Sequence, residues 1–146
     1  MTFITFKKAA LSVLVASTLM AAPAHAGSSI SIVQQWGVGN GAGVGQTGYK
    51  NRVRVHQNGW GNTTVATQDG RHNRTVVGQS GHHNFADTSQ SGRRNIAGVA
   101  QFGGHNTATT TQNGTGNAVG VIQVGNGNNS STTQNGKGNI IVVVQD

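Results

Sequence analysis

QNGTGNAVGVIQ, residues 112–123, begins and ends on glutamine, with a glycine two places in and an asparagine three places further on. The same frame recurs without insertion, because Gln35, Gln46, Gln57, Gln68, Gln79, Gln90, Gln101, Gln112, Gln123, Gln134 and Gln145 stand eleven residues apart. Two residues after the first ten of these come Gly37, Gly48, Gly59, Gly70, Gly81, Gly92, Gly103, Gly114, Gly125 and Gly136. Five residues after the same ten glutamines come Asn40, Asn51, Asn62, Asn73, Asn84, Asn95, Asn106, Asn117, Asn128 and Asn139. The unit is Gln-x-Gly-x-x-Asn-x5, and a fixed short period of this kind is the signature of stacked repeats.

Among the five variable residues the second and fourth are small or branched, as Val119 and Val121 are in the quoted unit and Val53 and Val55 are earlier. That alternation is the period of a β-strand. The asparagine, these two residues and the next glutamine share one parity, so all four side chains point to one face. The glycine-containing segment between Gln and Asn shows no alternation and reads as a tight turn that needs an unusual backbone angle. One such strand and turn cannot bury a face alone, whereas a stack of them can.

Alternate strands fall into two families: GAGVG, TTVAT, FADTS, TATTT and NSSTT, and the more aliphatic RVRVH, RTVVG, IAGVA, AVGVI and IIVVV. Residues 30–34, ISIVQ, are in phase with the second family and add one more strand. The predicted fold is all-β: a two-sheet parallel β-solenoid of the cross-β kind, with 22-residue rungs of strand, turn, strand, turn. About five and a half rungs, ~4.8 Å apart, make a rod roughly 25 Å long. Each glutamine then lies over a glutamine and each asparagine over an asparagine. Their amides carry both donors and acceptors and can bond along the stack as well as to turn backbone. A narrow interior so lined avoids the cost of ~1–3 kcal/mol for each unsatisfied buried group.

Composition fits this reading and excludes others. The 146 residues include 23 glycines, with 34% hydrophobic, 5% aromatic and 9% charged residues, too little apolar material for a large oily core. There is no cysteine, so no disulfide stands in for that core. Residues 1–26 are set apart: Lys7 and Lys8 precede the apolar run ALSVLVASTLMAA, which ends in Ala24-His25-Ala26. This predicts a secretory signal peptide cleaved before Gly27, the run being shorter than the ~20 residues of a membrane span. Residues 27–146 form the repeat domain.

The terminal strands are expected to be polymerisation edges. Ile30, Ile32 and Val33 lie at one end and Ile140, Ile141, Val142, Val143 and Val144 at the other, with high β-propensity and no charge among them. The competing reading is that a partner caps them. The turns differ by side. One edge collects Lys50, Arg52, Arg54, Arg71, Arg74, Arg93, Arg94 and Lys137 as a basic stripe; the other collects Trp36, Trp60, His82, His83, Phe102 and His105. The basic stripe suits lipopolysaccharide, extracellular DNA or an acidic polysaccharide. Equally, it suits plain solvation and repulsion that slows premature aggregation. His82, His83 and His105 lack Cys or carboxylate partners for a metal site. No acidic pair, activated nucleophile or phosphate loop occurs, so neither an enzyme nor a cofactor is expected, and no base-reading motif for a specific nucleic acid. With Asp69 the one aspartate in a turn, calcium-binding repeats are excluded as well.

The frame resembles the curlin repeat, Ser-x5-Gln-x-Gly-x-x-Asn-x-Ala-x3-Gln. Gln112-Asn113-Gly114-Thr115-Gly116-Asn117 gives Gln, Gly and Asn in order, and Asn106-Thr107-Ala108 and Asn84-Phe85-Ala86 match the Asn-x-Ala step. The resemblance implies a subunit of extracellular curli-like amyloid fibres, polymerising end to end for adhesion and biofilm matrix. It also implies export through the periplasm to the surface of a Gram-negative bacterium. Self, a second curlin-type subunit, and outer-membrane secretion and assembly factors would be the partners. Two features depart from the family's major subunit: repeats begin almost at once after Gly27, and the balance is basic, as in the minor, nucleating subunit. The alternative from the residues alone is a monomeric secreted solenoid that binds ice, carbohydrate or another anionic surface through outward threonines. Thr63, Thr67, Thr107, Thr109 and Thr111 supply some of these, with FADTS and GAGVG interrupting the array.

Overall fold

A computed structural model describes residues 28–146, so the expected signal peptide lies outside the described residues. Eleven strands follow one another: β1 (Ile30–Val38), β2 (Gly41–Tyr49), β3 (Arg52–Trp60), β4 (Thr63–Arg71), β5 (Arg74–His82), β6 (Phe85–Arg93), β7 (Ile96–Gly104), β8 (Thr107–Thr115), β9 (Ala118–Asn126), β10 (Asn129–Lys137) and β11 (Ile140–Gln145). They alternate between two parallel sheets. The six-stranded sheet runs β1-β3-β5-β7-β9-β11 and the five-stranded sheet runs β2-β4-β6-β8-β10. The solenoid with 22-residue rungs expected from the repeat is the observed fold.

Register follows the repeat without a slip. Gln57 pairs with Gln79, Gly59 with Gly81, and Val55 with Val77, and the same offset holds in every pair of neighbouring strands. Because the period is an odd number of residues, it is the irregular turn that resets parity and returns the same repeat positions to the inside of every strand. In β3 the burial alternates strictly, with Val53, Val55 and Gln57 inside and Arg52, Arg54 and His56 outside.

The two inner faces differ in size, and that lets them fit. The five-stranded sheet contributes Ala66, Ala86 and Ala108 with Thr64, Thr88, Thr110, Ser130 and Thr132, while the six-stranded sheet contributes Val53, Val55, Val77, Val99, Val119 and Val121 with Thr75 and Ala97. Small side chains opposite larger ones suit a gap of ~10 Å between sheets. The apolar filling is nevertheless thin, and the bulkiest fully buried side chains are glutamines, Gln57, Gln79, Gln90, Gln101, Gln112 and Gln123.

One difference from the expectation concerns the turns. The strand ladder does not stop at glutamine but continues through glycine and one residue beyond it, so only two residues per repeat, such as Gly61 and Asn62, leave the ladder. The bend is made by two residues of positive φ. The repeat glycine has φ between 98° and 123°, and the residue two places later has φ between 52° and 76°. Since all rungs bend alike, the backbones remain in register around the corner. The N–H of His83, for example, donates to the carbonyl of Trp60 at 3.1 Å.

The buried hydroxyls of Thr88 and Thr110 find no hydrogen-bond partner. Replacing either by valine keeps the shape and removes an unpaired polar group, worth ~1 kcal/mol. Thr88→Val and Thr110→Val are therefore expected to raise the urea midpoint of the folded chain, and a lowered midpoint would contradict this account of the core.

Candidate functional site

Among the described residues, the features that could act on another molecule are the amide ladders, the strand edges at the two ends, and the charged and aromatic turns. The ladders come first. In the six-stranded sheet Gln35, Gln57, Gln79, Gln101, Gln123 and Gln145 are joined by Nε2 to Oε1 hydrogen bonds of 2.6 to 2.8 Å. In the five-stranded sheet Gln46, Gln68, Gln90, Gln112 and Gln134 are joined in the same way at 2.7 to 2.9 Å.

Nine of the eleven amides, all but those of Gln35 and Gln112, also reach across the core. Gln57 donates its other Nε2 proton to the carbonyl of Gly41 at 3.0 Å, and Gln101 to that of Phe85 at 3.0 Å, so a glutamine of one sheet holds the first residue of a strand in the other. Thr64 and Thr75 add hydroxyl donors to Gln79 and Gln90 Oε1. Gln79 thereby uses both amide protons and accepts twice. This is why a residue that is ordinarily exposed sits inside here.

The asparagines stack but bond differently from the glutamines. Their Oδ1 accepts from the backbone N–H of the asparagine one rung on, as Asn51 does from Asn73 at 3.0 Å. Their Nδ2 donates to turn carbonyls, as Asn73 does to Asp69 at 3.0 Å and to Gly92 at 3.1 Å. A side chain one carbon shorter than Gln, at a corner of the chain, meets backbone before it meets another amide. One side-chain pair, Asn84 Nδ2 to Asn62 Oδ1 at 3.1 Å, breaks this pattern.

The repeat glycines are the closest points between rungs. A Cβ on Gly81 would lie 1.9 Å from the carbonyl oxygen of Gly103, and one on Gly114 would lie 2.0 Å from that of Gly136. Nothing wider than a hydrogen fits.

At the ends, Ile30, Ile32 and Val33 are exposed in β1. Ile140, Val142 and Val144 are exposed in β11, at 76%, 69% and 67%, while Ile141 and Val143 pack on the core beneath. The outer surface of the six-stranded sheet near that end is apolar too, with a shallow trough over Gly98, Gly120 and Ile122.

The basic residues separate into two clefts rather than one continuous line. Arg71, Arg93 and Arg94 line a cleft with His72 and Thr115 on the turn edge. Arg52, Arg54 and Arg74 line another with Ile30 and Ile32, on the outer side of the six-stranded sheet. Lys50 lies over the ring of Tyr49 at 5.0 Å, and Lys137 is separated from Arg93 in the ladder by Thr115. On the opposite edge Trp60 stacks on His82 at 5.0 Å and His83 on His105 at 5.1 Å, whereas Trp36 meets His56 and Phe102 is exposed apart from them. No group of three among the described residues has the geometry to hold a metal ion.

Sequence reasoning missed the second turn position. Five of its ten occupants are glycine, and the others, Lys50, His72, His83, Arg94 and His105, all carry amine, imidazole or guanidinium groups at φ of 52° to 59°. A non-glycine residue in that left-handed region costs ~1–2 kcal/mol. Their shared offset of four residues from Gln was the available signal.

The family model described as the curlin associated repeat matches residues 50–81 and 81–114, from the turn before β3 into β8. No curated protein matches the chain.

Three substitutions test the interior. Gly81→Ala is expected to cost more than ~3 kcal/mol, because left-handed strain adds to a backbone collision. Gly136→Ala, with no rung of the same chain above it, should cost only the strain, as read by urea denaturation. Gln79→Glu removes donors to Gln101 and Thr63 and sets a carboxylate against the Gln101 oxygen. It is expected to cost ~3 kcal/mol or more, measured by loss of the β signal in circular dichroism.

Proposed function

We propose that this chain, a curlin-repeat protein by its two matches across residues 50–114, is a structural subunit of extracellular curli-type amyloid fibres that grow end to end in cell adhesion and biofilm matrix. The observation that carries the reading is the bare rung at each end. β1 with β2, and β10 with β11, leave strand edges along which backbone and amide ladders stop with no capping element among the described residues. An incoming copy offers the same ladder at the same spacing. Templating needs nothing more than that each new rung bond as the last one did. The curlin family is a structural, non-enzymatic one, and its subunits are extracellular, which accords with the signal peptide read from residues 1–26.

The Arg71–Arg93–Arg94 cleft supports a second, compatible activity: contact with an anionic surface polymer. Cationic and imidazole side chains occupy left-handed turn positions where glycine would be unstrained, and strain of that kind concentrates at functional surfaces. A monomeric ice-binding role is less well supported, since Phe85, Asp87 and Ser89 interrupt the outward threonines of β4 and β8.

Purified residues 27–146 are expected to turn thioflavin-positive and to give fibre diffraction at ~4.8 Å and ~10 Å. A chain that stays soluble and monomeric through prolonged incubation would sink the proposal. Removal of residues 140–144 is expected to lengthen the lag or abolish elongation, and unchanged kinetics would show that β11 is not a docking edge.

A further inference from the structure

In a two-sheet solenoid an odd number of strands decides how one copy can sit on the next. Strands alternate between sheets, so with eleven of them among the described residues β1 and β11 fall in the same sheet, and the other sheet ends at β2 and β10. Each end therefore shows one strand edge from each sheet, half a rung out of step.

Two head-to-tail arrangements can be compared. If the second copy keeps the orientation of the first, its β1 pairs with β11, but its β2 then lies two strand spacings, ~9.6 Å, from β10. The facing edges of β10 and β2 stay unpaired, and Gln134 is out of reach of the next Gln46. Each polar group so buried without a partner costs ~1–3 kcal/mol, and a whole strand edge is at stake. If instead the second copy is rotated half a turn about the rod, its β1 pairs with β10 and its β2 with β11, and no strand is missing.

The two glutamine ladders favour the rotated arrangement. It sets Gln35 on Gln134, Gly37 on Gly136 and Gln46 on Gln145, extending both ladders in the register that each strand already keeps with its neighbour. On the inner face Ser31 meets Ser130, and Val33 meets Thr132, a side chain of the same shape. The direction of the ladders also fixes polarity. Every glutamine donates toward higher residue numbers, so the first end offers Gln35 and Gln46 oxygens and the last end offers Gln134 and Gln145 N–H groups. Joining like ends would set donor against donor or acceptor against acceptor.

Resting on the end-to-end polymerisation proposed above, we infer that successive copies of this chain stack head to tail with a half-turn, β1 on β10 and β2 on β11. Alternate subunits then exchange which of their sheets lies on a given side of the fibre. The subunit rise is ~26 Å, against ~29 Å for the unrotated stack with its gap.

Cross-linking tests this, as the chain has no cysteine of its own. Ile32→Cys and Ser131→Cys chains, mixed, polymerised and oxidised, would hold the two sulfurs on outward-facing neighbours one strand apart. Cα atoms ~4.8 Å apart are within disulfide range. Ile32→Cys mixed with Val142→Cys reports the unrotated contact. The expected result is disulfide dimers from the first mixture and none from the second, with a half-turn and ~26 Å rise per subunit in helical reconstruction of wild-type fibres. Dimers from the second mixture, or a rise of ~29 Å without rotation, would overturn the half-turn while leaving polymerisation intact. Failure of every chain, wild type included, to form thioflavin-positive fibres would overturn both.

Discussion

The side-chain amide of glutamine is the interaction on which the rest of this structure depends. It has two protons to give and an oxygen that accepts twice, and a stack of identical rungs supplies a partner for each of them. One proton goes to the next glutamine, the other crosses to the opposite sheet, and the oxygen receives from below. The ladder thus performs both tasks of a hydrophobic core: it binds rung to rung and sheet to sheet. Valines and alanines fill the space that remains, and their small number is sufficient because the interior is only one side chain deep on each side.

Such a ladder imposes conditions on every other position. Amides in neighbouring rungs meet only at the strand spacing, so corners must stack as closely as strands do. The glycine corner meets that requirement, with the next carbonyl in the place where a Cβ would project. Asparagine then ties the corner to the rung that follows, through backbone N–H and carbonyl groups that the bend would otherwise leave unpaired. Gln, Gly and Asn are therefore one device rather than three motifs. The outer positions, free of these conditions, are where the chain varies, with arginines on one turn edge and stacked aromatic and imidazole rings on the other.

The device has direction. A donor-to-acceptor chain that runs one way leaves oxygens at one end and N–H groups at the other, and a solenoid built on it has a head and a tail. End strands of this kind are aggregation hazards in most proteins, which cover or charge them. Here Ile140, Val142 and Val144 are left open, as the end-to-end growth proposed above would require.

Much of this was written in the sequence. An unbroken eleven-residue period, together with alternation at the two positions before each glutamine, determined the strands, their parallel stacking, the 22-residue rung and the residues that face inward. A periodic chain has so few ways to superpose equal side chains that period and parity suffice. What the tertiary structure alone decided lies at the corners and the ends. The strands run past the glycine, asparagine bonds to backbone rather than to its own kind, and a second left-handed residue completes the bend. The basic residues divide into two clefts because Arg54 faces outward from the middle of a strand while Arg93, the last residue of β6, and Arg94 sit at a corner of the chain. These features depend on backbone angles and on which carbonyl lies within reach, and apart from the offset of four from glutamine at the second turn position, residue spacing carries no record of either.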